Sequence, residues 1–282
     1  MQAGSVRAKV RDEEDEPAWS DPDLRVPRYS QSLERGLAIL RNFTPQRPAL
    51  GIADIADELG MSRSTTHRYV ITLLALGYLE QDASRKYRLG LRVADLGMSA
   101  LNSTHLRAHA RPHLEELRHS TSYATSLGVL DARDVLLVDR LRSFRSAGNA
   151  TGLNLTTGSR VPPYCCSVGK LLLANLPESE RHELIAEISL AKHGPNTITS
   201  KTALREELEE IYNAGLAIDD QELATNIYAI AAPVRDETRE TVAAVGLSTH
   251  SSAISLEEFV DELGPYVVSA AERISAQLGY ND

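Results

Sequence analysis

Residues 60–69 read GMSRSTTHRY. One Gly, two Ser, two Thr, two Arg and one His leave almost nothing to bury. The segments on either side do carry apolar faces. Before it, Ile52, Ile55, Ala56 and Leu59 recur at i, i+3, i+4 and i+7. After it come Val70, Leu73, Leu74 and Gly77. The spacing predicts two helices that meet at Gly60, a favoured residue just past a helix end, with Ser62 capping the second. That second helix has an inner stripe of Val70, Leu73, Leu74 and Gly77, and an outer stripe of Arg63, Ser64, His67 and Arg68. No Asp or Glu occurs from Arg63 to Gly77. A solvated helix face of ordinary composition would carry both signs; this one suits phosphates and base edges.

Working outward, Leu33, Leu37 and Leu40 predict an earlier helix beginning at Ser30. Gly36 is its close-packing point, and Pro45 and Pro48 end it. Downstream, Tyr78 and Leu79 begin a strand, QDASRKYRLG turns at Asp82–Ser84, and Tyr87 and Leu89 return. Arg85 and Lys86 fall at the tip. Three helices and a basic hairpin over residues 28–91 make a winged helix-turn-helix, whose second motif helix enters the DNA major groove by its N-terminal residues. The expected contacts to double-stranded DNA are Ser62, Arg63, Ser64, Thr65, Thr66, His67, Arg68 and Tyr69, with Arg85 and Lys86 from the wing.

Charge is distributed in keeping with this. The 282 residues carry a net charge of −9, but residues 28–90 hold nine basic and six acidic side chains. A mildly basic module sits before an acidic body. Residues 1–27, polar and rich in Asp, Glu and Pro, predict a disordered arm. No apolar run reaches about 18 residues, and the N-terminus lacks a signal-peptide core. A cytoplasmic protein without a membrane partner is expected. Cys165 and Cys166 are adjacent and make no disulfide framework, which fits a reducing compartment.

Residues 92–119 predict a linker helix that also pairs protomers. His105, His109 and His113 are spaced by four on one face, a pattern that can bind zinc. Pro112 is expected to interrupt the helix where the third ligand must align, so a solvated or interfacial face is preferred and no metal is assigned. Residues 120–282 alternate strands and helices. Strands are expected at Ala124–Leu130, Val135–Leu141, Ile227–Val234 and Thr241–Thr249, with Leu153–Thr157 extended. Helices are expected at Gly169–Leu176, Glu178–Ile188, Thr202–Asn213 and Ser255–Leu278. This is a small-molecule sensor domain with an antiparallel sheet rather than a doubly wound nucleotide-binding fold.

With both halves in place, the chain resembles the IclR family of transcriptional regulators over residues 28–280. The resemblance is carried by QSLERGLAIL, IADIADELGMSRSTTHRYVITLLALGYL, YRLGLRVADLG, GSRVPPYCCSVGKLLLA, AIDDQEL, AIAAPVRDE and VAAVGLSTHSS, in family order. ERGLAILRNF and GSRVPPYCCSVGKLLLA are most similar to regulators of aromatic-acid catabolism, the protocatechuate and 4-hydroxybenzoate type. The resemblance implies an α+β chain with a GAF-like effector domain, homodimers that pair into tetramers, and a pocket at Ser167, Val168, Asp219, Ile227, Gly246 and Ser248. Gly246 and Ala229 stand where some relatives carry Ser and Cys.

The residues themselves suggest how such a pocket would work. PPYCCSVGKLLLA runs from a stiff loop into an apolar helix that Ser167 or Cys166 could cap. The unpaired N–H groups near Ser167–Gly169 form an anion seat for the carboxylate of a small aromatic acid. Tyr164, Tyr228 and Ile227 could flank its ring, and Asn226, His250 or Ser248 could meet a ring hydroxyl. A sugar acid or a short 2-oxo acid is the alternative effector. SVGK is no P-loop, because position 171 is Leu and no Gly precedes Gly169 by five residues. A cysteine hydrolase would need a paired His that no spacing identifies. The chain therefore reads as a regulator without a cofactor, not an enzyme.

Overall fold

The computed structural model describes residues 29–44, 46–103, 105–144 and 153–281. The expected N-terminal arm lies outside them. The chain divides into two compact units, residues 1–97 and 98–282.

In the first unit, α1 (Gln31–Arg41) starts at Ser30, whose Oγ accepts from the Leu33 N–H. Its buried residue is Ile39, followed by Phe43 beyond the helix end. Leu33 and Leu37, expected inside, are 64% and 45% exposed. Gly36 has nothing within 4 Å of where a Cβ would sit, so it is not a packing point. The helix carries two apolar stripes, and the core takes the one through Ile39. α2 (Ile52–Glu58) buries Ile55 and Ala56. Gly60 follows with φ +61°, the left-handed conformation that closes a helix. Ser62 then caps α3 (Arg63–Ala75), accepting from the Thr65 N–H. β1 (Leu79–Gln81) and β2 (Tyr87–Leu89) pair antiparallel with Leu79 opposite Leu89. The wing turn is tied by Asp82, which accepts from the Ser84 and Lys86 N–H groups.

The linker is two helices, α4 (Arg92–Ser103) and α5 (Leu106–Thr121). The expected single stretch is two helices, the first ending at Ser103 just after Asn102, both poor helix formers, and the second starting at Leu106. α5 continues through Pro112, contrary to expectation. Pro112 is exposed there and costs the helix one N–H donor.

The second unit is a six-stranded antiparallel sheet in the order β5-β4-β3-β8-β7-β6. Its strands are β3 (Ala124–Asp131), β4 (Asp134–Leu141), β5 (Arg160–Val161), β6 (Ala217–Asp220), β7 (Ile227–Arg235) and β8 (Thr241–His250). β6 was not anticipated. The segment expected to be extended, Leu153–Thr157, precedes β5 without joining the sheet. One face packs on α5 and α9 (Leu256–Gln277) through Leu127, Ile230, Val245, Leu247, Phe259 and Val267. The other packs on α6 (Ser167–Ala174) and α8 (Lys201–Ala214), with α7 (Glu178–Glu187) beyond. Over β3, β7 and β8 that second face carries small residues, Ser126, Gly128, Ala229, Ala231, Ala244, Gly246 and Ser248, with Val135, Leu137 and Val161 at its β4–β5 side. The two faces differ because side chains alternate along a strand. Small residues under α6 let it approach and leave a cavity at its N-terminal end.

Candidate functional site

α3 presents Ser62, Arg63, Ser64, His67 and Arg68 to solvent. Ser62 Oγ lies 3.1 Å from Ser64 Oγ and donates to Thr65 Oγ1 at 2.8 Å, which fixes the hydroxyl cluster at the helix start. Thr66, expected on the same face, is wholly buried, and its Oγ1 donates to the Ser62 carbonyl. Thr65 and Tyr69 are half-buried. The Tyr69 hydroxyl is held below its ordinary pKa first by a hydrogen bond from Ser32 of α1, and its ring lies under Arg68. It braces α3 as much as it faces out. Arg85 and Lys86 are exposed at the wing tip, Arg85 with φ +62°.

In the second unit a cavity lies under the start of α6. It is lined by Ser126, Leu137, Arg140, Leu153, Leu155, Val161, Cys166, Ser167, Val168, Asp219, Leu223, Ile227, Ala229, Gly246, Leu247 and Ser248. About 50 Å³ is open to water centres, room for on the order of four waters. That is the scale of a compact ligand. A Cβ on Gly246 would come within 2.7 Å of Ser126 Oγ and of Val168 Cγ2, so the bare glycine lets α6 and β3 close over this wall. Gly169 is absent from the lining because α6 crosses Pro163 there. A Cβ would lie 2.3 Å from the Pro163 carbonyl oxygen.

Four other expected residues also point elsewhere. The Tyr164 hydroxyl donates to the Ala191 carbonyl at 2.8 Å. Tyr228 faces Phe259 on the opposite side of the sheet. Asn226 has φ +63° and gives its N–H to Gln221 Oε1. His250 Nδ1 is 2.8 Å from Ser252 Oγ. The Ser167 side chain does not cap α6; the Gly169 N–H is turned to the Cys166 sulfur, and the helix start borders the cavity through Cys166, Ser167 and Val168.

The polar groups in the lining differ in kind. Arg140, on β4, was not anticipated. It is half-buried, and no acidic side chain among the described residues lies within ion-pair reach. Burial, and then the Arg142 charge, pull its guanidinium below the ordinary value. Its Nη2 lies 3.5 Å from Ser248 Oγ. Asp219, on β6, is almost wholly buried, and burial pushes its carboxyl up to about 7. Its Oδ1 accepts from the Glu222 N–H at 2.7 Å. Three strands separate β4 from β6, and Arg140 reaches across β3 to Ser248 of β8, so the cavity holds one cation and one acid among mostly apolar side chains.

Lys170, the lysine of SVGK, points into the protein. Its Nζ donates to Glu222 Oε1 at 2.5 Å and Glu207 Oε1 at 2.7 Å. Burial would lower the ammonium, but these carboxylates outweigh it and hold it above its ordinary value. The cysteines are unsuited to attack. Burial pushes Cys166 up to about 12 and raises Cys165 as well, while a reactive thiol needs a lowered pKa. Both sulfurs point at the Pro162 carbonyl. His105 and His109 form an edge contact, and His109 Nδ1 lies 3.2 Å from Gln277 Oε1. Among the described residues no His, Cys, Asp or Glu cluster is arranged to hold a metal, and no helix is long and apolar enough to cross a membrane.

Comparison with known proteins gives this arrangement a family. Residues 32–83 match the IclR helix-turn-helix domain, and residues 98–276 match the C-terminal domain of bacterial transcriptional regulator IclR. The chain is 32% identical to the HTH-type transcriptional regulator XynR of Escherichia coli, over 89% of this chain and 98% of that protein. It is 29% identical to the Pca regulon regulatory protein of Pseudomonas putida, over 93% and 91%. A solved IclR homologue from Microbacterium hydrocarbonoxydans, in complex with 4-hydroxybenzoate, aligns with a TM-score of 0.76 and 29% identity, over 88% and 98%. The matched proteins are regulators, not enzymes. The chain belongs to the IclR family: a DNA-binding, ligand-responsive transcriptional regulator with an N-terminal helix-turn-helix domain and a C-terminal effector-binding domain.

Proposed function

We propose that this regulator senses a small aromatic acid of the 4-hydroxybenzoate or protocatechuate type and controls genes for its catabolism. The observation that carries the reading is Arg140: a partly desolvated guanidinium without an acidic partner among the described residues, in a cavity otherwise mostly apolar. A charge so placed costs stability until an anion pairs with it. The N-terminus of α6 adds donors and a favourable dipole at the same cavity. The ring lies among Leu137, Leu155, Val161 and Ile227, and its hydroxyl reaches Asp219. The Pca regulon regulatory protein and the homologue bound to 4-hydroxybenzoate support the same ligand class.

On the DNA side, Arg63, Ser64, His67 and Arg68 read the major groove, while Arg85 and Lys86 hold the backbone. Two such helices spaced about 34–36 Å apart require at least a dimer. The exposed apolar Leu33, Leu37, Leu96 and Met98 of α1 and α4 are suited to pairing protomers.

Calorimetry with three ligands tests the effector. Losing a buried hydrogen-bond partner costs about 1–3 kcal/mol, so benzoate binds up to about a hundredfold more weakly than 4-hydroxybenzoate. 4-Hydroxybenzamide, which lacks the charge, binds more weakly still. Equal affinity for all three overturns the assignment of Arg140 as carboxylate partner. Heat only from a sugar acid or a 2-oxo acid overturns the ligand class.

A further inference from the structure

β4 carries two charged residues in succession to opposite sides of the sheet. Arg140 lines the effector cavity. Asp139, wholly buried, faces α5. Arg111 of α5 donates through Nη1 to both Asp139 carboxylate oxygens, at 2.9 and 3.1 Å. The same carboxylate accepts the backbone N–H of Arg140 at 2.9 Å. One side chain therefore bonds both the helix on one face and the peptide of the cavity cation on the other.

The strand is irregular at this point. Leu127 pairs with Asp139, but Gly128 pairs with Leu137, so Val138 is an extra residue in β4. Such a bulge re-aims side chains and leaves the extra residue unpaired in the ladder.

The contact is also incomplete. Arg107, one turn before Arg111, places Nε 3.5 Å from Asp139 Oδ2 without hydrogen-bond alignment, and that Nε is a buried donor with no partner. A buried donor left unmade is costly, of order 1–3 kcal/mol. A small displacement of Asp139 toward α5 would satisfy it. In the arrangement seen, Arg111 hydrogen-bonds Asp139 while Arg107 is only loosely paired with it; an arrangement with both arginines bonded lies a small displacement away.

We propose that Asp139, with Arg107 and Arg111, is the switch that reports occupancy of the effector cavity to α5. An anion drawing on Arg140 moves the peptide that Asp139 holds and changes which arginines share it. α5 follows α4, the segment that leads from the DNA-binding unit. This rests on the effector reading only in the identity of the ligand; the mechanical link is between Arg140 and α5. A ligand shifts such an equilibrium only by its differential affinity for the two arrangements.

Hydrogen exchange of the full-length protein tests the link without a ligand. Arg140→Met should change exchange across α5, residues 106–121, at least threefold, with α8 unaffected. In an Arg107→Gln, Arg111→Gln background the same substitution should change α5 less than 1.5-fold. A purely structural role for the arginines would shift exchange in both backgrounds and leave the Arg140 effect intact. An α5 that ignores Arg140→Met, or responds equally in both backgrounds, overturns the proposal. Adding 4-hydroxybenzoate at 5 mM separates the two readings. Absence of heat with the wild type counts against the aromatic-acid effector alone, while the exchange comparison still decides the switch. Where heat is seen, Arg111→Gln should keep affinity within twofold and lose most of the ligand's effect on DNA binding.

Discussion

Arg68 and Arg140 carry the same guanidinium into opposite surroundings. Neither has an acidic partner among the described residues. Arg68 stands in water on α3, over the ring of Tyr69. Arg140 is half-buried in a largely apolar cavity. The solvated cation costs almost nothing to hold and is attracted by any phosphate, so salt screens it. The desolvated cation costs the fold something until an anion of the right size arrives, and it then binds strongly and selectively. One regulator needs both, because DNA must be found among many sites while the effector must be told from similar molecules.

Arg140→Met puts the largest strain on this comparison. Truncating one partner of a buried charge pair costs about 2–5 kcal/mol, so 4-hydroxybenzoate should bind at least about thirtyfold more weakly. Any change in DNA affinity without effector should vanish in the Arg107→Gln, Arg111→Gln background. The thermal midpoint should not fall, because the substitution removes a charge from a poorly solvated place. Calorimetry, anisotropy and a melting scan check the three. Unchanged ligand affinity would erase the distinction between the two arginines.

The converse substitution is Arg68→Ala, with Arg63→Ala beside it. Removing a hydrogen bond to a base edge should weaken specific operator binding by about 1–3 kcal/mol, with the ligand's calorimetric affinity unchanged. Gel shifts on operator and scrambled duplexes measure it. Equal losses on both duplexes would mean that these residues bind phosphates instead.

The DNA-reading module was legible because its signals are local. Gly60 and Ser62 stop one helix and start the next within three residues, and the acid-free face follows directly. Thr66 was misplaced because a threonine on a helix can turn its hydroxyl back to the carbonyl four residues earlier, as it does to Ser62. α1 was misread because two apolar stripes compete, and only tertiary packing chooses Ile39 over Leu33 and Leu37. The cavity was less legible, for two reasons. Adjacent strand residues face opposite sides, so Ile227 and Tyr228 could not both line it. In LLVDRLR the extra residue at Val138 breaks the alternation that would have placed Arg140 and Asp139. A bulge is set by pairing with β3 and leaves no mark in the strand's own composition.

A smaller effect comes from Asp219. Its carboxyl is raised from 3.8 to about 7, chiefly by burial. A raised acid favours the folded state while it stays protonated. This contribution is present below about pH 4 and is lost as pH rises through about 7. Relative to wild type, Asp219→Asn should gain stability across that window, read as urea midpoints at each pH. An ionised Asp219 also repels an incoming carboxylate. Wild-type affinity for 4-hydroxybenzoate should fall severalfold from pH 6 to pH 8, and that of Asp219→Asn should stay level. A wild-type affinity that rises over this range would place the ligand's charge elsewhere.

Lys86→Ala should give the smallest change. Lys86 is exposed at the wing tip, next to Arg85, and its backbone N–H, not its side chain, is what the wing turn needs, donating to Asp82. The fold should therefore be unaffected. A solvated ammonium near a phosphate contributes through counterion release, which carries no sequence information. The loss should be under about 1 kcal/mol on operator and scrambled DNA alike. The slope of log affinity against log salt should become shallower by about 0.9, the value for one neutralised phosphate. This is the signature that separates the wing from α3, since Arg68→Ala should change the ratio between the two duplexes and Lys86→Ala should leave that ratio alone. An operator-specific loss at Lys86, with the salt slope unmoved, would mean that the wing reads bases, and that exposure alone does not divide the cations of this regulator into holding and reading groups.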